Sequence, residues 1–128
     1  MGKKLISVII PGYNEEDVIA HSIAAVEKEL ASLHKPLEIL IVDDGSTDST
    51  LKIVQKLIKG KQHSNLQVIS YKNGPSRREN LAKSFKLLRG EYIILLDMDL
   101  SMDLKHLKEM IYWLEKDYGM VIPNRYHK

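Results

Sequence analysis

Asp97-Met98-Asp99 closes the uniformly apolar run Tyr92-Ile93-Ile94-Leu95-Leu96, so two carboxylates one residue apart are delivered to the tip of a buried strand. Carboxylates are costly to bury, and they are hard oxygen ligands suited to a divalent cation such as Mg2+ or Mn2+ that keeps open positions for phosphate oxygens. A helix cap would account for Ser101 or Asp103 but not for an acid at both 97 and 99. Two further polar clusters end earlier apolar runs: Pro11-Gly12-Tyr13-Asn14-Glu15-Glu16 follows residues 6–10, and Asp43-Asp44-Gly45-Ser46 follows residues 39–42. Behind the turn at Pro11-Gly12, Tyr13 offers a ring that can stack on a base. Asp43 and Asp44 repel each other unless one meets a donor, and a nucleobase imino group or ribose hydroxyls would supply one to Asp44. A turn at Gly45 and N-caps from Thr47 or Asp48 account for the rest of that cluster. Glu15 and Glu16 suit the first turn of a helix, where acids complement the dipole. Arg77 and Arg78, after Gly74-Pro75, fit a phosphate clamp or a solvated helix start equally well. Arg125, in Pro123-Asn124-Arg125-Tyr126, is placed to reach back over the same sheet edge. The five histidines show no ligand spacing.

These clusters need a scaffold that brings three strand ends together. Apolar β-branched runs alternate with stretches of helical period, which predicts an α/β protein with a mainly parallel open sheet and helices on both faces. Strands are expected at residues 5–11, 38–43, 66–70, 92–97 and 120–123. Ile19, Ile23, Val26, Leu30 and Leu33 step by four and three along one helix face, as do Leu104, Leu107, Ile111 and Leu114. Leu51, Val54 and Leu57 form a third face, and Leu81, Phe85 and Leu88 a fourth. Gly90 and Gly119 sit where a helix would close into the next strand. Ligands of such sheets bind beyond the carboxyl ends of the strands, where the strand order reverses. Right-handed crossovers place strand 1 between strands 2 and 4, so Tyr13, Asp44 and Asp97 to Asp99 face one crevice.

The whole chain narrows the function classes. Its 128 residues make a single domain, short for an enzyme of two substrates. With 19 basic and 17 acidic side chains the formal charge is +2, and without a clustered basic face no nucleic-acid partner is expected. The absence of cysteine removes disulfide scaffolds and Cys-type zinc sites and fits a reducing compartment. No apolar run approaches the roughly 20 residues of a membrane span, and the start Met1-Gly2-Lys3-Lys4 leads to no cleavage site. A soluble cytoplasmic domain is expected, at most peripheral to the membrane. A receiver domain would carry its acid pair after strand 1 and a lysine after strand 5, where this chain has Tyr13-Asn14-Glu15-Glu16 and Pro123-Asn124-Arg125. The first turn also lacks the glycine pattern of a dinucleotide oxidoreductase and the glycine- and arginine-rich loop of a nucleotidyltransferase.

Val8-Ile9-Ile10-Pro11-Gly12-Tyr13-Asn14-Glu15-Glu16, Ile41-Val42-Asp43-Asp44-Gly45-Ser46-Thr47-Asp48-Ser49-Thr50 and Leu95-Leu96-Asp97-Met98-Asp99-Leu100, in that order, resemble the motifs of the family 2 inverting glycosyltransferases. The nearest resemblance is to the dolichyl-phosphate mannosyltransferase and polyprenyl-phosphate sugar transferase branch. It covers about residues 5–125 and implies that residues 1–128 form the nucleotide-sugar-binding half of a glycosyltransferase-A fold, without the C-terminal acceptor half. By that resemblance Pro11, Tyr13 and Glu15 line the base and ribose pocket, and Asp44 meets the base. Asp97 and Asp99 hold the metal and nucleotide, Asp99 aiding departure of the nucleoside diphosphate through the metal, and Arg125 faces the diphosphate. The chain departs from the branch at Ser101, where a Gln is frequent, and at Gly74-Pro75-Ser76-Arg77-Arg78, where the branch is richer in glycine. Downstream of Asp103 the candidate bases are Glu109, Glu115 and Asp117, all in or near a helix. A polyprenyl phosphate acceptor needs no base, since its oxygen is already anionic, and positioning plus a metal then suffice. The alternative is a non-catalytic nucleotide-sugar-binding half that self-associates or acts with a partner chain.

Overall fold

A computed structural model describes residues 5–31, 36–60, 65–96, 109, 111–113 and 116. Asp97, Asp99, Arg125, the strand expected at 120–123 and most of the helix expected around Leu104 and Leu107 lie outside the described residues. The elements are β1 (Ile6–Gly12), α1 (Ile19–Ala31), β2 (Leu37–Asp43), α2 (Thr50–Lys59), β3 (Leu66–Ser70), α3 (Arg77–Ser84) and β4 (Tyr92–Leu95), with a single 3-10 turn, Phe85–Leu87, prolonging α3. Residues 111–113 are helical, and Ile111 is buried in the main core.

Among the described residues all pairings are parallel and the order is β3-β2-β1-β4, with strand 1 between strands 2 and 4 as expected. β1 is buried along almost its whole length, the mark of a central parallel strand covered on both faces. Its alternation divides the core. Ile6, Val8 and Ile10 join Ile39, Ile41, Leu66 and Ile94 beneath α1 and α2, where Ile19, Ile23, Val26, Leu30 and Val54 are buried. Ile9 lies on the opposite face with Leu40 and Val42, against Leu81 and Leu88. Each of these large aliphatic side chains contributes about 1.5–3 kcal/mol by leaving water.

Helices on opposite faces follow from the reversal of strand order. The chain steps from β1 to β2 to β3 in one direction, then returns with α3 across the other face to place β4 beside β1. The crevice therefore opens at the carboxyl ends of β1 and β4. Pro11 helps to separate them. The Leu96 N–H donates to the Ile9 carbonyl at 3.1 Å and the Asp44 N–H to the Gly12 carbonyl at 3.0 Å, so odd residues of β1 face β4 and even ones face β2. At Pro11 there is no N–H to continue the ladder toward β4.

The expected helix face of Leu81, Phe85 and Leu88 is only partly realised. α3 ends at Ser84, and the tighter turn that follows carries Phe85 out to solvent while Leu81 and Leu88 pack on the sheet.

A buried acid fastens the opposite end of the sheet. Glu38, paired in register with Ser7, is 6% exposed. Its Oε2 accepts from the Ser7 hydroxyl, from the Arg89 N–H at 2.6 Å and from the Gly90 N–H at 3.1 Å. The Gly90 N–H also donates to Ser7 Oγ at 2.8 Å. Gly90 is required there, because a Cβ would stand 2.3 Å from Ser7 Oγ and 2.7 Å from Ser7 N. Burial pushes the Glu38 carboxyl up, but the bonds from Ser7, Arg89 and Gly90 and the Arg89 charge outweigh it and hold its pKa below the ordinary 4.5. These bonds tie β1 and β2 to the segment that leads into β4.

Candidate functional site

The site is built from the loops that follow β1, β2 and β3. The first two are joined by a reciprocal polar zip. Asn14, which adopts the left-handed conformation (φ 52°), donates its N–H to Ser46 Oγ at 2.9 Å. Its side-chain Oδ1 accepts from the N–H groups of Thr47 at 2.8 Å and Asp48 at 3.3 Å, and its Nδ2 donates to Thr47 Oγ1 at 3.2 Å. The Glu15 N–H donates to Thr50 Oγ1 at 2.9 Å, and the Glu16 N–H to Asp48 Oδ2 at 3.2 Å. In return Glu16 Oε2 accepts from the Ser49 N–H at 2.9 Å.

Of the expected caps, Asp48 is the one realised. Ser49 stands at the N-cap of α2 without a side-chain bond of its own. As expected, the first turn is closed by Asp48, whose Oδ1 accepts from the Thr50 N–H at 2.9 Å and from the Thr50 hydroxyl, and also by Glu16 from the neighbouring loop. Burial raises the Asp48 carboxyl, while the bonds from Thr50 and Glu16 pull it below the ordinary value. Asn14→Ala is expected to lower stability by about 1–2 kcal/mol, through lost bonds to two backbone donors and a forced left-handed residue. Asn14→Gly should recover part of that loss, because it keeps the backbone conformation; urea titrations of both variants separate the two contributions.

Two adjacent acids are each turned inward. Asp43 Oδ1 accepts from the Ser46 N–H at 3.2 Å and its Oδ2 from the Ser70 hydroxyl at 2.7 Å. Asp44, 3% exposed, reaches across to the start of α3. The Ser76 N–H lies 3.0 Å from both of its carboxylate oxygens, and Asn80 Nδ2 donates to Oδ1 at 2.6 Å. The repulsion between Asp43 and Asp44 is thus relieved by separate sets of donors within the chain.

Two glycines make the close approach of the third loop feasible. Gly45 has φ +82°, the left-handed value expected for the turn, and Gly74 packs directly on the Asp44 backbone. A Cβ on Gly74 would lie 1.9 Å from the Asp44 carbonyl oxygen and 2.8 Å from Asp44 Oδ1.

Around this frame, Tyr13 is 39% exposed at the position after Gly12, next to the bond from Asp44 to Gly12. Tyr13 and Asp44 therefore stand side by side at the ends of paired strands. Pro11 is buried in β1 and Glu15 half-buried, with the Glu15 carbonyl accepting from the Val18 and Ile19 N–H groups at 3.1 and 2.9 Å. Arg77 and Arg78 are exposed at the first turn of α3. Sequence reasoning missed Asn14, Ser76 and Asn80, the residues that fix this geometry.

Residues 7–128 match the sequence profile of glycosyl transferase family 2. The CsbB protein of Bacillus subtilis (strain 168) is 33% identical over 128 residues, which is 100% of this chain and 38% of that protein. A dolichyl-phosphate beta-glucosyltransferase of Dictyostelium discoideum is 30% identical over 131 residues, 95% of this chain and 40% of its own length. A mannosyltransferase from Pyrobaculum calidifontis, whose structure holds GDP-Man and Mn2+, superimposes with a TM-score of 0.71 at 23% identity, covering 88% of this chain and 32% of that one. The chain thus spans less than half the length of the proteins it matches, and the fold is that of the glycosyltransferase-A class. With a family match over nearly its whole length and a parallel sheet whose loops converge at one carboxyl edge, this chain belongs to glycosyl transferase family 2.

Proposed function

We propose that this chain supplies the donor side of a glycosyltransferase, binding a nucleoside-diphosphate sugar with Mg2+ or Mn2+ for transfer to a polyprenyl phosphate. The observation that carries the reading is the zip between the loops after β1 and β2, which sets the exposed Tyr13 at the end of β1 next to the strand end that carries the buried Asp44. Tyr13 stacks on the base, Asp44 accepts a hydrogen bond from it, and Pro11 and Glu15 complete the wall. Arg125 would supply a cation to the diphosphate. The polyprenyl phosphate is supported by the dolichyl-phosphate substrate in the name of the Dictyostelium relative. No helix among the described residues is long and apolar enough to cross a membrane.

The cation is assigned in this reading to the acids that follow β4. Among the described residues no three His, Cys, Asp or Glu side chains gather as a metal site, and Asp43 and Asp44 are already bonded to internal donors. Asp97 and Asp99 would hold the ion; Asp97 follows Leu96, which is itself bonded to Ile9 of β1. When bound, the ion stabilises charge on the departing nucleoside diphosphate. Glu109, an exposed helical residue, is not required as a base for an acceptor that is already anionic.

Tyr13→Ala tests the cleft. Calorimetric titration with a panel of nucleoside diphosphates should show affinity reduced about 5- to 100-fold for every base, the range that corresponds to a lost stacking contact. Affinities equal to those of the parent chain would place the base elsewhere.

A further inference from the structure

Asp44 does not offer both of its oxygens to a ligand. Its Oδ1 accepts from Asn80 Nδ2 at 2.6 Å and from the Ser76 N–H at 3.0 Å, which fills that atom's two lone-pair directions. Among the described residues Oδ2 meets the shared Ser76 N–H alone, at 3.0 Å, in a side chain that is buried in the unliganded protein. Asn80 is fully buried, and its own Oδ1 has no hydrogen-bond partner among the described residues. A buried unpaired acceptor lowers stability, so packing alone would favour an apolar side chain at this position. The reverse amide orientation would set two oxygens against each other. Donation to Asp44 is therefore the interaction that accounts for an amide at position 80.

We propose that Asn80 is a specificity-determining residue that closes one oxygen of Asp44, leaving a single acceptor matched to a uracil-type base and mismatched to guanine. This rests on the reading of Asp44 as the base contact. Uracil presents one imino N–H between two carbonyl groups, and one carboxylate oxygen satisfies it. Guanine presents an imino N–H and an amino group side by side, which pair well only with two free acceptor oxygens. Cytosine and adenine present no imino donor on the corresponding edge. Asn80 acts through Asp44 and does not itself need to touch the nucleotide.

Calorimetric titration of the chain with UDP, GDP, CDP and ADP in the presence of Mn2+ tests the proposal. The parent should bind UDP at least about tenfold more tightly than GDP, since a site that must leave a donor unpaired rejects the mismatched ligand. In Asn80→Ala, and in the smaller change Asn80→Ser, the freed oxygen should narrow the UDP-to-GDP ratio several-fold. Equal or tighter binding of GDP by the parent would overturn the proposal outright. A UDP preference unaltered in whichever Asn80 variants keep the parent's circular dichroism would overturn the role of Asn80. Asp44→Ala separates the two levels: unchanged affinity for all four nucleotides would remove the base-contact reading itself and the proposal with it. Loss of discrimination in Asp44→Ala with the ratio intact in both Asn80 variants would remove only the proposal.

Discussion

Gly74→Ala is expected to lower the stability of the chain by about 3 kcal/mol and to weaken nucleotide binding at least about tenfold. The added methyl would sit 1.9 Å from the Asp44 carbonyl oxygen and 2.4 Å from its carbonyl carbon. Neither atom belongs to a flexible side chain, so the clash cannot be relieved by a rotamer change, and one of the two loops must move. The loop after β2 is held by the Asp44 N–H bond to Gly12 and by the zip to Asn14, and the loop after β3 by the Tyr71 N–H bond to the Asp43 carbonyl at 2.9 Å. Movement of either one breaks the bonds from Ser76 and Asn80 to Asp44. Gly60→Ala is the control: Gly60 has φ −69°, and a Cβ there would find its nearest neighbour, the Leu57 carbonyl oxygen, at 3.5 Å. That variant should match the parent within about 1 kcal/mol. Denaturant titration and calorimetry of the pair decide the matter, and equal stability of the two variants would show that the third loop is free to shift.

Removing the buried acid at the far end of the sheet should have a comparable cost. Glu38→Ala leaves the Arg89 N–H and the Ser7 hydroxyl without their acceptor, and about 3 kcal/mol of stability is expected to go with it. The Arg89 guanidinium adds little, since its Nε is 3.7 Å from Glu38 Oε1 and the side chain is 73% exposed. The pH dependence has a defined sign. The folded-state pKa of Glu38 lies below its ordinary 4.5, so the stabilisation is fully present above that value and is lost as the pH falls through the folded-state one. Stability measured by urea titration from pH 7 down to pH 3 should therefore fall less steeply on acidification in Glu38→Gln than in the parent. Parallel curves would show that Glu38 carries no linked proton.

The order of the four described strands was legible, and β1 and β2 were the plainest because burial on both faces leaves a continuous apolar run. β3 has the expected limits, Leu66–Ser70, although its faces are only partly buried, and β4 stops at Leu95 instead of reaching 97, with Ile93 and Leu95 exposed where a buried strand was expected. β1 and β2 differ from expectation by single residues at their ends. The buried face of α1 was legible from its period, with Ile19, Ile23, Val26 and Leu30 all in the core. What could not be read was polar and long-range. Asn14 finds Thr47 and Asp48 across 33 and 34 residues of sequence, and Glu38 finds Arg89 across 51. Hydrogen bonds of this kind leave no periodicity, and an exposed Asn, Ser or Thr reads as an ordinary loop residue. Asn80 was hidden for a related reason: in sequence it is one polar residue on a polar helix, and only the return of α3 across the sheet brings it to Asp44. Asp44 itself was expected to await a ligand donor, and it has donors of its own.

The most direct measurement is a calorimetric titration of the chain with UDP, with Mn2+ and then with EDTA in its place, repeated on Asp99→Asn. In the parent the affinity should be at least about tenfold higher with Mn2+, equivalent to about 1.4 kcal/mol, since Asp97 and Asp99 would hold the cation and its charge would offset that of the diphosphate. In Asp99→Asn that gain should vanish while the thermal midpoint stays where it was. UDP binding that is indifferent to Mn2+ in the parent, or a full Mn2+ gain retained by Asp99→Asn, would contradict a metal-assisted donor site at the carboxyl edge of this sheet.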